Sequence, residues 1–270
     1  MRIASLNVWF GQTHGPLLDY LPRLGADIYC FQEVHDAPGG TPEQLTWPAN
    51  HGWHGQPVRP NLFREIASVL PGHRGRFFPG VHGPLVDEEG AVYLAGYGIA
   101  TFVGKHIPII GERVDFVARE YLHDGWGEQP QPRNAHCIRL DCEGGAPLVV
   151  AHMHGVLPRG GKGNVPIRTE QAKRFADIIA SVAKPGNRII ACGDWNLLPD
   201  GHIFSSLQHR FGLQDLVTSY GFTDTRTSYY KKPDRHSNYM CVSPGIEVVA
   251  FNIPVAPEVS DHRPLILDIA

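Results

Sequence analysis

Residues Arg188–Asn196 read RIIACGDWN. Four uncharged residues, Ile189 to Cys192, lead into a glycine, and the run stops at Asp194 and Asn196 with a tryptophan between them. A short apolar run bounded by turn residues predicts a buried strand. Its two terminal polar residues lie two apart, so they share one side wherever the extended geometry persists. The same construction recurs outward in both directions. RIASLN (2–7) ends on Asn7, ADIYCFQE (26–33) on Glu33 and PLVVAH (147–152) on His152, while PLILDI (264–269) follows Ser260, Asp261 and His262. Five strand ends with polar, mostly ionisable side chains predict a sheet protein whose site assembles where a rigid scaffold holds those ends together.

The rest of the chain fills in that frame. Strands are expected over 2–9, 27–33, 75–80, 92–103, 107–118, 135–142, 147–153, 188–193, 238–243, 246–253 and 264–269, and helices over 16–24, 61–70, 168–183 and 201–210. The clearest helix is 168–183, where Ala172, Phe175, Ala176, Ile179 and Val182 repeat at three and four. Glycine and proline, 30 and 23 of 270 residues, fit many short elements joined by turns and argue against a helical bundle. No composition break or repeat divides the chain, so residues 1–270 read as one α/β domain. The long polar loops 36–60, 121–134, 155–166 and 226–236 carry Trp47, Trp53, Trp126, Tyr229 and Tyr230, read as surface packing or lid residues, and their mixture with Arg159 and Lys162 would also suit a substrate with a ring or sugar beside a phosphate.

Composition excludes several classes. With 42% hydrophobic and 19% charged residues the chain can bury a core and is not disordered. No apolar run approaches the roughly 20 residues of a membrane helix, and the N-terminus lacks the basic start and apolar stretch of a signal peptide. Five cysteines, none in a CxxC pair and most inside apolar runs, read as free thiols of a reducing compartment, so a cytoplasmic location is expected. A formal charge of −3 speaks against gripping long nucleic acid by charge alone, although 15 histidines would turn the surface basic near pH 6.5. Gly155 and Gly160 imitate a phosphate-binding loop, but Gly161 stands where that loop needs lysine.

The residue types at the strand ends suit phosphate ester hydrolysis. Carboxylates and amide oxygens are hard donors matched to Mg²⁺ or Mn²⁺, and zinc spacings such as HExxH are absent. A carboxylate off the metal can orient and deprotonate water while histidines meet the developing charge or protonate the leaving group.

Taken together, SLNV (5–8), FQEV (31–34), GYGIA (96–100), PRNA (132–135), VVAHMHG (149–155), RTEQ (168–171), GDWN (193–196), FTDTRTS (222–228) and VSDHRPL (259–265) resemble the endonuclease/exonuclease/phosphatase superfamily, in its order and over nearly the whole chain. The resemblance implies a four-layer α/β sandwich of two packed mixed sheets flanked by helices. It implies that Glu33 is the main metal ligand, with Asn7 and Asp261 close to the metal or its waters. Asp194 then positions and deprotonates the attacking water with support from Asn196, His262 faces the scissile phosphate as acid or electrostatic stabiliser, and His152 contacts phosphate oxygens from the other side. Arg133, His154 and Arg168 are expected to bind substrate, the two arginines equally readable as structural partners. His-Met-His-Gly at 152–155 fits the deoxyribonuclease, sphingomyelinase and phosphatase branches better than the apurinic-site endonucleases. One departure stands out. Where the family usually has an aspartate before tyrosine, this chain has Asn238, which can accept a hydrogen bond from His262 but supplies no charge to support an imidazolium. The expected enzyme is a Mg²⁺-dependent phosphoesterase acting on a small phosphoester or short nucleic acid, with no membrane span and no obligate protein partner. The rival readings are a non-specific nuclease and a weakly catalytic scaffold of the same fold.

Overall fold

The computed structural model describes residues 1–158 and 161–270; Arg159 and Gly160, which the sequence reading placed in a basic loop and a near-miss phosphate loop, lie outside the described residues. The first part of the chain builds one sheet: β1 (Arg2–Asn7), β2 (Ile28–Asp36), β3 (Leu45–Thr46), β4 (Pro57–Val58), β5 (His73–Val86) and β6 (Val92–Gly104). The second sheet follows with β7 (Ile109–Ala118), β8 (Arg133–Leu140), β9 (Leu148–His154), β10 (Arg188–Asp194), β11 (Gln214–Asp215) and β12 (Asn238–Val242). The chain then returns to the first sheet with β13 (Val248–Asn252) and β14 (Leu265–Ile269). The spatial orders are β13-β14-β1-β2-β6-β5-β3-β4 and β11-β12-β10-β9-β8-β7. Both sheets are mixed, because β1 runs parallel to β2 and β9 parallel to β10 while their other pairings are antiparallel.

Alternation along the central strands decides what faces what. Ile3, Ile28, Cys30 and Val103 of the first sheet share one core with Ile138, Val150, Ile190 and Cys192 of the second. The intervening residues Ala4, Leu6, Tyr29 and Phe31 turn outward and pack under Leu17 and Leu21 of α1 (His14–Leu24) and Leu62 and Ile66 of α2 (Leu62–Val69). On the far side α3 (Pro166–Val182) contributes Phe175, Ala176 and Ile179, and α4 (His202–Phe211) contributes Ile203 and Leu207. A short helix α5 (Leu216–Ser219) is capped by the Asp215 carboxylate, which accepts from the Val217 and Thr218 amides. The layers are therefore helix, sheet, sheet, helix. No helix among the described residues is long and apolar enough to cross a membrane.

Three features depart from the sequence reading. Residues 8–9 leave the first strand for a single 3₁₀ turn, Trp9–Gly11, with Trp9 and Phe10 at φ 47° and 55°. Strands β3, β4 and β11 have two residues each, too few to show alternation. Trp47 and Trp126 are not lid residues: their loops fold inward, and the two rings join Phe10, Tyr97 and Val81 in a separate aromatic core.

Candidate active site

The ends of β1, β2, β9, β10 and β12 meet at one edge of the sandwich, and the segment before β14 closes it. Each strand needs a local device to aim its side chain. In β2 the inward residues are Ile28, Cys30 and Gln32, so strict alternation would turn Glu33 outward beside Phe31. The pairing with β6 shifts register between Gln32 and Val34, and Glu33 takes φ 60°, so that its carboxylate enters the site. In β10 a Cβ on Gly193 would lie 2.1 Å from the Met153 carbonyl oxygen, so only glycine lets β9 and β10 approach at the step before Asp194. Asn196 follows at φ 54°, a conformation asparagine tolerates better than most residues.

Asp194 is the hub. Its Oδ1 accepts from the Ser237 hydroxyl at 2.6 Å and the Asn196 amide at 3.1 Å; its Oδ2 accepts from the Asn7 side chain at 2.9 Å and faces His262 Nε2 at 3.5 Å and His154 Nε2 at 3.7 Å. His154 Nε2 is also 3.8 Å from Glu33 Oε1 and 3.2 Å from Asn196 Nδ2, while its Nδ1 meets the Tyr97 hydroxyl at 3.4 Å. Asn238 Oδ1 lies 2.5 Å from His262 Nδ1, the contact expected from sequence. Arg226 completes the group. Its Nη1 donates to Asp261 Oδ2 at 2.8 Å and to His262 Nε2, and its Nη2 donates to Ser237 Oγ at 3.0 Å.

Electrostatics sharpen this arrangement. Burial would raise Asp194, but the His262 and His154 rings, Arg226 and the Ser237 hydroxyl hold its carboxyl below the usual carboxylate range. Burial, aided by nearby Asp261, pushes Glu33 up to about 8. Burial also pushes Asp261 up to about 6, against the pull of Arg226. His154 is lowered to about 3 by burial and Arg133, and His262 falls well below its ordinary value through burial and Arg226.

One ligand atom from each of Glu33, His154 and Asp194 lies within 4.8 Å of the other two. The donors fit a divalent cation: two carboxylates and an imidazole converge, and the crowding that lifts Glu33 is the charge imbalance that such an ion removes.

The structure redistributes several expected roles. His152 lies one strand repeat deeper than His154, and its Nε2 bonds the Thr101 hydroxyl at 2.7 Å, which also meets His136 Nδ1 at 2.7 Å. It is a core residue between the sheets and does not face a phosphate; His154 takes the place at the edge. Arg168 is likewise engaged with the backbone, its guanidinium donating to the carbonyls of Gly161 at 2.9 Å, Asn196 at 2.6 Å and Gly163. Arg133 stays near the centre, 5.5 Å from the Tyr97 ring centroid, with Nε on the Gly155 carbonyl at 3.3 Å. Asn7 accepts from the Trp9 amide on Oδ1 at 3.0 Å and donates its NH₂ to Asp194, so it orders the carboxylate while the second lone pair of its oxygen stays open. Asp261 stands at the site's rim in an ion pair with Arg226. Arg226, Ser237 and Tyr97 were missed as site residues, although each lies in or beside a quoted motif. The sequence offers only an arginine between two threonines in FTDTRTS, whose burial the structure reveals.

Comparisons with known proteins bear on the family and the fold. The model of the Endonuclease/Exonuclease/phosphatase family matches residues 4–262. The chain belongs to this family. By class it is therefore a phosphoester hydrolase. A structure described as an endonuclease/exonuclease/phosphatase from Bacteroides vulgatus shares 15% identity over 100% of this chain and 98% of its own, with a TM-score of 0.67. The mannosyl-6-phosphatase of Bacteroides thetaiotaomicron shares 15% over 100% and 99%, TM-score 0.66, and the catalytic domain of human Nocturnin with bound sulfate shares 17% over 100% and 94%, TM-score 0.62. These likenesses show a common fold. A search of curated proteins by sequence finds no match.

Proposed function

We propose that this family member hydrolyses a phosphodiester or phosphomonoester with Mg²⁺ or Mn²⁺, using a water held and deprotonated by Asp194. The observation that carries the reading is the convergence of Asp194, Glu33 and His154 at the strand ends, with Asp194 kept ionised by its neighbours. A cation held by Glu33, with His154 beside it, would supply positive charge against the charge that develops on the phosphoryl oxygens. The protein's own groups supply the rest. Asn7, Ser237 and the Asn196 backbone fix both oxygens of Asp194, so one direction remains for an attacking water. Asn196 in turn is anchored to the Gly155 carbonyl at 3.1 Å. The favoured substrate is a small phosphoester or short nucleic acid; the mannosyl-6-phosphatase among the similar structures keeps monoesters in range. Five unpaired cysteines, four of them buried, fit action in a reducing compartment such as the cytoplasm.

The test is release of p-nitrophenol from bis-p-nitrophenyl phosphate and from p-nitrophenyl phosphate, with Mg²⁺, Mn²⁺ or EDTA, in wild type and Asp194→Ala. Metal-dependent release that Asp194→Ala abolishes is the expected result, and the preferred ester assigns diesterase or monoesterase. Equal release with EDTA, or in the variant, overturns the reading.

A further inference from the structure

We propose that Trp9 and Tyr229 form a ring-binding subsite at the mouth of the active site, and that the phosphoester it selects carries a nucleobase one sugar away from the phosphate. This rests on the phosphoesterase reading and names its substrate class. Strand β1 ends at Asn7, whose Nδ2 holds Asp194 at 2.9 Å, and Trp9 follows two residues on. Two residues of chain span at most about 7 Å, a reach comparable to that of a sugar between phosphate and base. The turn after β1 sorts its two rings. Phe10 points inward, with the Trp53 and Trp47 ring centroids at 4.9 and 5.5 Å, while Trp9 stays partly exposed with Tyr229 as its aromatic neighbour. The backbone keeps Trp9 there against its own preference. Trp9 and Phe10 take φ 47° and 55°, a left-handed conformation that is an outlier for bulky residues. Hydrogen bonds impose it: the Trp9 N–H donates to Asn7 Oδ1 at 3.0 Å, the Gly11 N–H to the Val8 carbonyl at 2.9 Å and the Arg59 N–H to the Phe10 carbonyl at 3.0 Å. Burying Phe10 explains the turn, but it does not explain an indole at position 9, where asparagine or glycine would be less strained. A large ring kept at a strained, partly exposed position beside the strand ends that build the site points to a ligand.

Tyr229 comes from a second element with equally firm support. It lies three residues after Arg226, which donates to Ser237, itself bonded to Asp194. The loop is fixed on either side of it. The Ser228 N–H donates to Glu258 Oε1 at 2.6 Å, and the Arg235 guanidinium donates to the carbonyls of Tyr230, Arg226 and Thr227 at 3.0, 3.0 and 3.1 Å. The Tyr230 ring is engaged by the Arg226 guanidinium, its centroid 4.2 Å from Cζ, whereas Tyr229 is 47% exposed. The Trp9 and Tyr229 centroids lie 5.5 Å apart with planes 45° from parallel, so the two rings meet without stacking flat on each other and leave aromatic surface for a third. Rigid aromatic side chains offer that surface at low entropic cost. Every nucleobase has a π-face that gains from it, and a bare sugar phosphate does not. The phosphate of a nucleotide stacked here falls within reach of Asp194.

The experiment measures inhibition by adenosine 5′-monophosphate and by ribose 5-phosphate, against whichever of the two p-nitrophenyl esters the wild type cleaves with Mg²⁺ or Mn²⁺. It compares wild type, Trp9→Asn, Tyr229→Leu and Tyr229→Phe. The wild type should bind the nucleotide at least about tenfold tighter than the sugar phosphate. Trp9→Asn suits the left-handed turn and removes the ring, and Tyr229→Leu keeps apolar bulk without a π-face. Each should weaken nucleotide binding roughly fivefold or more while ribose 5-phosphate moves less than about twofold. Tyr229→Phe should retain the wild-type preference, because the ring and not the hydroxyl makes the contact. The dinucleotide ApA bound more tightly than the mononucleotide would assign the subsite to a nucleic-acid strand, and the reverse order to a free nucleotide; both orders uphold it. Equal inhibition by nucleotide and sugar phosphate, or none by either, in an enzyme that cleaves its ester overturns this proposal alone. So does an unchanged preference in Trp9→Asn or Tyr229→Leu protein that melts like wild type, and a Tyr229→Phe loss as large as that of Tyr229→Leu. If Trp9→Asn does not fold, Tyr229→Leu decides. A wild type that cleaves neither ester with either metal overturns the phosphoesterase reading and this proposal with it.

Discussion

Two residues separate His152 from His154, about 7 Å along a strand, and that step decides which ring meets the reacting group. His154→Ala and Asp194→Ala should each lower turnover by roughly 10²–10⁴ with the fold intact. His152→Ala should leave turnover little changed and instead cost about 2–3 kcal/mol of stability, because the buried Thr101 hydroxyl and His136 lose a shared partner. Kinetics and thermal melts of the three variants check both statements, and equal kinetic losses at 152 and 154 would refute the reassignment. The exchange of roles could not be read from the sequence. His-Met-His places both rings on one face, and only the depth of the opposing strand, with Thr101 waiting beneath His152, separates core from edge. Arg226 was hidden for a related reason: its importance comes from contacts with residues 237, 261 and 262, far along the chain.

At the scale of elements, the long strands and helices were legible because burial imposes period two or 3.6 on enough residues to be seen. Helix 168–183 was expected and Pro166–Val182 is observed; the strand expected at 188–193 runs Arg188–Asp194. What escaped were devices that break the period, such as the bulge at Glu33 and the glycine at 193. Gly193→Ala should therefore be among the most damaging single-methyl additions in the protein. Its Cβ would meet backbone, not a movable side chain, and φ 132° is hostile to alanine. A loss of about 3 kcal/mol or more, or failure to fold, is expected in denaturant melts; a near-neutral result would mean that β9 and β10 separate freely. Arg168→Met tests the other kind of element. Its guanidinium ties the loop after β9 to the Asn196 carbonyl, so the variant should melt lower by about 2–3 kcal/mol yet bind inorganic phosphate as wild type does. Weakened phosphate binding would return Arg168 to the substrate.

For the whole molecule, buried neutral histidines set the response to acid. His35 and His136 are lowered to about 3, both chiefly by burial, whereas in the unfolded chain they titrate near 6.5. Between those values the unfolded state binds more protons, so stability is present above pH 6.5 and is lost as pH falls toward 3. At pH 5 each costs roughly 2 kcal/mol, a large share of a typical 5–15. Raised Glu33 acts with the opposite sign between about 4.5 and 8, so the measurement belongs in saturating Mg²⁺. The melting temperature should drop between pH 7 and pH 5, and less so in His35→Phe, whose ring suits the surrounding Phe10, Trp47 and Tyr97.

The route of the chain through the two sheets also bears on synthesis. β14 does not sit at an edge: it is inserted between β13 and β1. Until it arrives, β1 presents an open flank to the ribosome's surroundings, and Asp261 and His262 have no place to go. The nascent protein must hold an unfinished sheet through more than two hundred residues of translation, a long wait for a contact between the first strand and the last. The site is therefore complete only once β14 has been made and inserted beside β1. A chain that has not yet made β14 lacks a finished site.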